Sequence, residues 1–64
     1  MNLIEGIQKE LNRARELKQV YDNIPTGFFG SAVIQQAINK AEKCISMGDT
    51  IGMMQAYEEL KQLE

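Results

Sequence analysis

The sequence predicts an all-α protein: a small bundle of two long helices and one shorter helix, with antiparallel neighbours, assembled as a homo-oligomer. Three observations carry that expectation. Apolar residues recur at three- and four-residue steps along most of the chain, and strand-like alternation does not appear. Two short connections, one around Pro25 and one at Gly48-Asp49, divide the pattern into three. Short connections make consecutive helices antiparallel neighbours, so residues 1–64 form one helical domain.

The first helix is expected over residues 3–22. Asn2 followed by Glu5 has the spacing of an N-cap with an acidic partner. Ile4, Ile7, Leu11, Ala14 and Leu17 then mark one face. Asp22-Asn23 ahead of Pro25 end the helix, and Gly6 weakens its first turn by about 1 kcal/mol relative to alanine. That cost matters if another backbone packs against Gly6. In the second helix the four-residue ladder Phe29–Val33–Ala37–Ala41–Ile45 predicts a core face, with Val33, Ile34, Ala37, Ile38, Ala41, Cys44 and Ile45 as its apolar positions. The ladder favours Thr26 over Ser31 as N-cap, though both residue types can cap. This apolar face is wider than one partner helix needs. Gly48 stops the helix, and Asp49 or Thr50 caps a third helix over about residues 50–63, with Ile51, Met54, Tyr57 and Leu60 on one side.

Size makes such a bundle marginal, because a chain this short buries only about 60% of the surface its unfolded form exposes. Small domains add disulfides, metals or oligomerisation. Cys44 is the single cysteine and histidine is absent, which excludes an internal disulfide and the usual zinc sites. Oligomerisation is the remaining route. Cys44 itself is expected to be a small core residue. The net charge of −2, with both signs mixed along the chain, argues against binding to a nucleic-acid polymer. Glu5, Lys9, Glu10 and Arg13 leave no apolar signal-peptide core at the start, and the longest nearly apolar run, from Phe28 to Ile34, falls far below the roughly 20 residues of a membrane span. A cytosolic setting, with no membrane partner, is expected.

Residues 41–64, AEKCISMGDTIGMMQAYEELKQLE, resemble the turn and second helix of a tetratricopeptide repeat, with Ala41, Gly48, Asp49, Ala56 and Tyr57 at the small, turn and aromatic places. At least about three repeats are needed to bury such units. The preceding helix does not continue the pattern and no second copy exists, so this is a shared helix–turn–helix solution. Over its whole length the chain looks like a family of very short phage and prophage proteins, through NRARELKQVY, the GFFG loop and GDTIGMMQAYEELK. In size and helical make-up it is also similar, as a class, to phage-encoded sponges that sequester nucleotide signals of bacterial immunity. That likeness implies a non-enzymatic counter-defence protein acting in the host cytosol. Its small phosphate-bearing ligand would be of the cyclic dinucleotide or cyclic ADP-ribose type.

The residues themselves argue against catalysis. Histidine is absent, Ser31 and Ser46 have no evident base to activate them, and Glu58-Glu59 are neighbours pointing different ways on an exposed helix. Neither a cofactor nor a metal site is expected. The stretch IPTGFFGS supplies the candidate ligand site. A helix start offers free N–H groups to an anion, Gly27 and Gly30 let a ligand approach the backbone, and Thr26 and Ser31 add hydroxyls. Adjacent helical residues diverge by about 100°, so Phe28 and Phe29 cannot both be core. Phe29 continues the ladder, which leaves Phe28 for solvent, a ligand or another subunit. Arg13, Arg15, Lys18, Tyr21 and Asn23 come from the neighbouring helix end as phosphate, stacking and base-edge groups. The same glycines equally suit a plain tight turn. The rival expectation is a protein-interaction module acting on a host or phage protein through the acidic, Met-rich third helix. Met47, Met53 and Met54 would form an adaptable surface in that case, but core packing is the role expected of them first.

Overall fold

Three helices follow one another in a computed structural model that describes residues 2–64: α1 (Leu3–Asp22), α2 (Phe28–Met47) and α3 (Thr50–Lys61). Each packs against the other two, and no strand occurs among the described residues. None of the helices is long and apolar enough to cross a membrane.

Local capping chemistry explains most of the boundaries. Asn2 adopts an extended backbone and its Oδ1 accepts the Glu5 N–H at 2.8 Å, so α1 begins with one of its orphan donors satisfied. Asn23 closes α1, donating its Nδ2 to the Gln19 carbonyl at 3.0 Å. Gly48 sits at φ +66°, the left-handed conformation that ends many helices, while the Asp49 N–H reaches back to the Cys44 carbonyl at 3.0 Å. Asp49 then caps α3 by accepting the Gly52 N–H at 3.0 Å.

The start of α2 differs from expectation. Neither Thr26 nor Ser31 caps it; Gly27 stands at the N-cap and no side chain bonds there. Ser31 lies inside the helix, buried, with its hydroxyl turned to Asp22. The cause is tertiary. A Cβ on residue 27 would collide with the Tyr21 carbonyl oxygen, so the chain crosses there only as glycine, and the helix begins after it.

Ile7, Leu11, Ala14, Ile34, Ile38, Ala41, Cys44, Met53, Ala56 and Leu60 form the core. On α1 the expected face holds, except that Ile4 is exposed and Leu17 only partly buried. Two faces are rotated from expectation. Phe29 is 73% exposed and Val33 46% exposed, so the upper half of the four-residue ladder is not core. Helix lengths explain why: α3 has 12 residues against 20 in α2, about 18 Å against 30 Å, and covers α2 only partway. On α3 itself Ile51 and Met54 face solvent, and Gly52, Met53, Ala56 and Leu60 are buried. Small residues let α3 sit close to α2, with the Cys44 sulfur 2.7 Å from where a Gly52 Cβ would stand. Of the three methionines expected first as core, Met53 is buried, whereas Met47 and Met54 are exposed. Gly6 faces a side chain, the Tyr57 ring, and not another backbone; the ring in turn carries Lys61 at 4.9 Å from its centroid.

Burial separates two substitutions of similar apparent severity. Leu11→Ala removes a fully buried side chain and should lower unfolding free energy by about 2–5 kcal/mol. Phe29→Ala at dilute protein concentration should stay within about 0.5 kcal/mol of the wild type, as surface changes do. Urea denaturation of both variants checks the pair; a large loss at Phe29 would place it back in the core.

Candidate functional site

The turn between α1 and α2 is built around Tyr21. Its carbonyl accepts the Ile24 N–H at 3.1 Å, and the same oxygen closes off the space beside Gly27. Its ring lies against Gly30, with two ring carbons 2.5 Å from an ideal Cβ position on that residue. Its hydroxyl donates to the Glu64 carbonyl beyond α3. Both glycines are therefore needed for the protein's own packing, and the room they leave is filled by Tyr21.

Asp22 joins the two sides of the turn. Its Oδ1 accepts the Ser31 hydroxyl, and its Oδ2 accepts Lys18 Nζ at 3.0 Å. The Ser31 hydroxyl and, next, the Lys18 ammonium hold the Asp22 carboxyl below its ordinary value of 3.8. A carboxylate beside the first turn of a helix also complements the helix dipole. The anion at the start of α2 is thus supplied from within the chain.

The candidate residues fall into two groups. Lys18, Tyr21, Asn23, Thr26, Gly27, Phe28, Gly30 and Ser31 lie in or beside this turn. Arg13 and Arg15 do not join them. Arg13 donates to the Leu60 carbonyl at 2.6 Å, the Leu63 carbonyl at 3.0 Å and Glu10 at 3.1 Å, so it closes the end of α3. Arg15 bonds Asn12 and pairs with Glu42 at 2.9 Å. Glu42 lies 14 residues beyond Phe28, about 21 Å along α2. Asn23 spends its amide on the helix end, as above.

What the turn presents outward is apolar. Phe28 is 78% exposed, as expected for the phenylalanine off the ladder, and Phe29, Val20, Ile24 and Val33 are exposed with it. A further sequence signal marks this region, separate from the candidate residues. From Asn23 to Asn39 the chain carries no charged residue, although charged residues make up 25% of the whole. Below Val33 a groove of about 380 Å³ runs between α2 and the end of α3, lined by Val33, Gln36, Ala37, Lys40, Glu59 and Leu63. Lys40 Nζ and Glu59 Oε1 bridge one end of it at 2.7 Å, and that bond raises the lysine above its ordinary value. No cluster of side chains suited to a metal ion occurs among the described residues.

Compared with protein-family models, curated proteins and solved structures, the chain matches none.

Two measurements follow from this geometry. Gly30→Ala must push aside a side-chain ring, whereas Gly27→Ala must move backbone, so the second should cost more, with Gly30→Ala near 1–3 kcal/mol, on the order of other overpacking changes. Thermal melts of the pair give the order directly. A carboxyl lowered in the folded state adds stability above its ordinary pKa and loses it as pH falls through the lowered folded value. Ser31→Ala removes the largest cause of the shift, so its unfolding free energy should depend less on pH than the wild type's between about pH 5 and pH 2. Parallel pH dependence in the two proteins would mean that the Asp22–Ser31 bond is not formed in solution.

Proposed function

We propose that this chain is a non-enzymatic protein-interaction module whose contact surface is the turn end of the bundle, centred on Phe28 with Ile24 and Val20. One observation carries the reading: a phenylalanine 78% exposed at a turn that is otherwise fixed by internal bonds, within a charge-free stretch. Interface centres are depleted in charge and enriched in aromatic residues, and an aromatic anchor on a rigid support needs little ordering on binding. The fitting partner is a host or phage protein with an apolar pocket. The exposed Met47, Ile51 and Met54 offer a second apolar area, but Lys43, Asp49 and Glu58 intersperse it with charge.

A second reading, sequestration of a small cyclic nucleotide by a phage counter-defence protein, is favoured by Lys18. Its pair with Asp22 is a surface ion pair, worth no more than about 1 kcal/mol, which a phosphate group can replace. Against it stand the filled spaces at Gly27 and Gly30 and the distance of Arg15.

One set of experiments decides between them. Affinity capture from producing cells should recover a stoichiometric partner with wild type, and Phe28→Ser should lose it while melting within about 0.5 kcal/mol of wild type. Calorimetric titration with cyclic dinucleotides, cyclic trinucleotides and cyclic ADP-ribose isomers should show no binding at high micromolar concentration. Tight nucleotide binding that Lys18→Glu weakens at least tenfold, about 1.4 kcal/mol, would replace the first reading with the second.

A further inference from the structure

We propose that the exposed face of α2 is a self-association surface on which a second copy of this chain docks antiparallel about a two-fold axis at Val33. The inference concerns Phe29, Val33 and the groove below them, and does not rest on the Phe28 reading above. Phe29 and Ala37 stand four residues to either side of Val33 on the same row of α2. In a two-fold pairing centred on Val33, the Phe29 of one copy falls opposite the Ala37 of the other, and the reverse, as an isologous contact requires. A large residue meets a small one twice, and Val33 meets itself. Rows of step four interdigitating on both helices are the commonest mode of helix packing.

The groove supplies a receiver. Ala37 and Leu63 both line it, so an incoming phenylalanine would enter between α2 and the end of α3. The Lys40–Glu59 pair lies at the rim, where charged groups belong in an interface. Burying a phenylalanine removes about 150–250 Å² from water. Phe29 is 73% exposed beforehand, so two such side chains contribute about 200–400 Å². The facing walls and the Val33 pair add to this, which is the small end of the interface range, where association is weak and needs high concentration. The absence of charge from Asn23 to Asn39 means that no like charges oppose one another across the axis. Self-association also answers the small core, in which, among the described residues, Ile7, Leu11 and Leu60 are the largest fully buried side chains.

Light scattering after gel filtration at high micromolar concentration should give twice the 7.2 kDa monomer mass. Phe29→Glu and Ala37→Lys should each be monomeric, with helical circular dichroism retained. Mixing these two variants should restore a dimer, because the pairing sets the new carboxylate against the new ammonium at one contact and leaves the other contact wild type. In a Cys44→Ala background, Val33→Cys should form an intermolecular disulfide under mild oxidation, and Gln35→Cys should not. A monomeric wild type would overturn the proposal and leave the Phe28 capture experiment unaffected. A dimer that survives Phe29→Glu, or that cross-links equally through Gln35→Cys, would overturn the register and with it the proposal.

Discussion

Tyr21, through its backbone and its side chain, is the residue on which the three helices depend together. Its carbonyl fixes where the backbone passes Gly27, its ring fixes how closely α2 crosses at Gly30, and its hydroxyl holds the Glu64 carbonyl beyond α3. A ring against a glycine is a contact with no slack, since interiors pack at the density of organic crystals. These contacts make a joint of the turn that the sequence offered as a place for a ligand. Its glycines are spaces for another part of the same chain, and Asp22 supplies, through Ser31, the negative charge that the start of α2 favours.

The second constraint is length. Because α3 is shorter than its neighbours, the bundle is three helices thick over one part of α2 and thinner at the turn end. The apolar residues of α2 divide accordingly. Ile34, Ile38, Ala41 and Cys44 are enclosed, and Phe29 and Val33 are left beyond the cover. No burial within one chain reaches them. This division, more than any polar group, leaves an apolar surface on α2 outside the core. Its position on a regular helix keeps that surface in a fixed shape.

Features set by neighbouring residues were legible in the sequence, and features set across the bundle were not. Asn2, Asp49 and Gly48 could be read as helix ends because capping is a matter of three or four residues. The start of α2 could not, because Tyr21 imposes it from another helix. The buried faces of α2 and α3 departed from expectation for one reason. Large apolar residues suggest contacts, but Ser31, Gly52 and Ala56 mark where the helices meet closely. At the candidate site, the exposure of Phe28 was legible from the divergence of neighbouring side chains. The dispersal of Arg13 and Arg15 was not, since their partners Leu60, Leu63 and Glu42 lie far off in sequence. The charge-free stretch from Asn23 to Asn39 is the sequence signal that accompanies the exposed apolar residues Ile24, Phe28, Phe29 and Val33.

Arg13 and Tyr21 also set an order of events. Both belong to the first helix, and the carbonyls they hold are those of Leu60, Leu63 and Glu64, more than 40 residues further along the chain. Such contacts close long loops, and distant pairings form late because their entropy must be lost first. During synthesis, α1 therefore leaves the ribosome with its polar grips empty and its apolar stripe uncovered. The α1–α2 hairpin can assemble early, but the bundle locks only when residues 60–64 arrive.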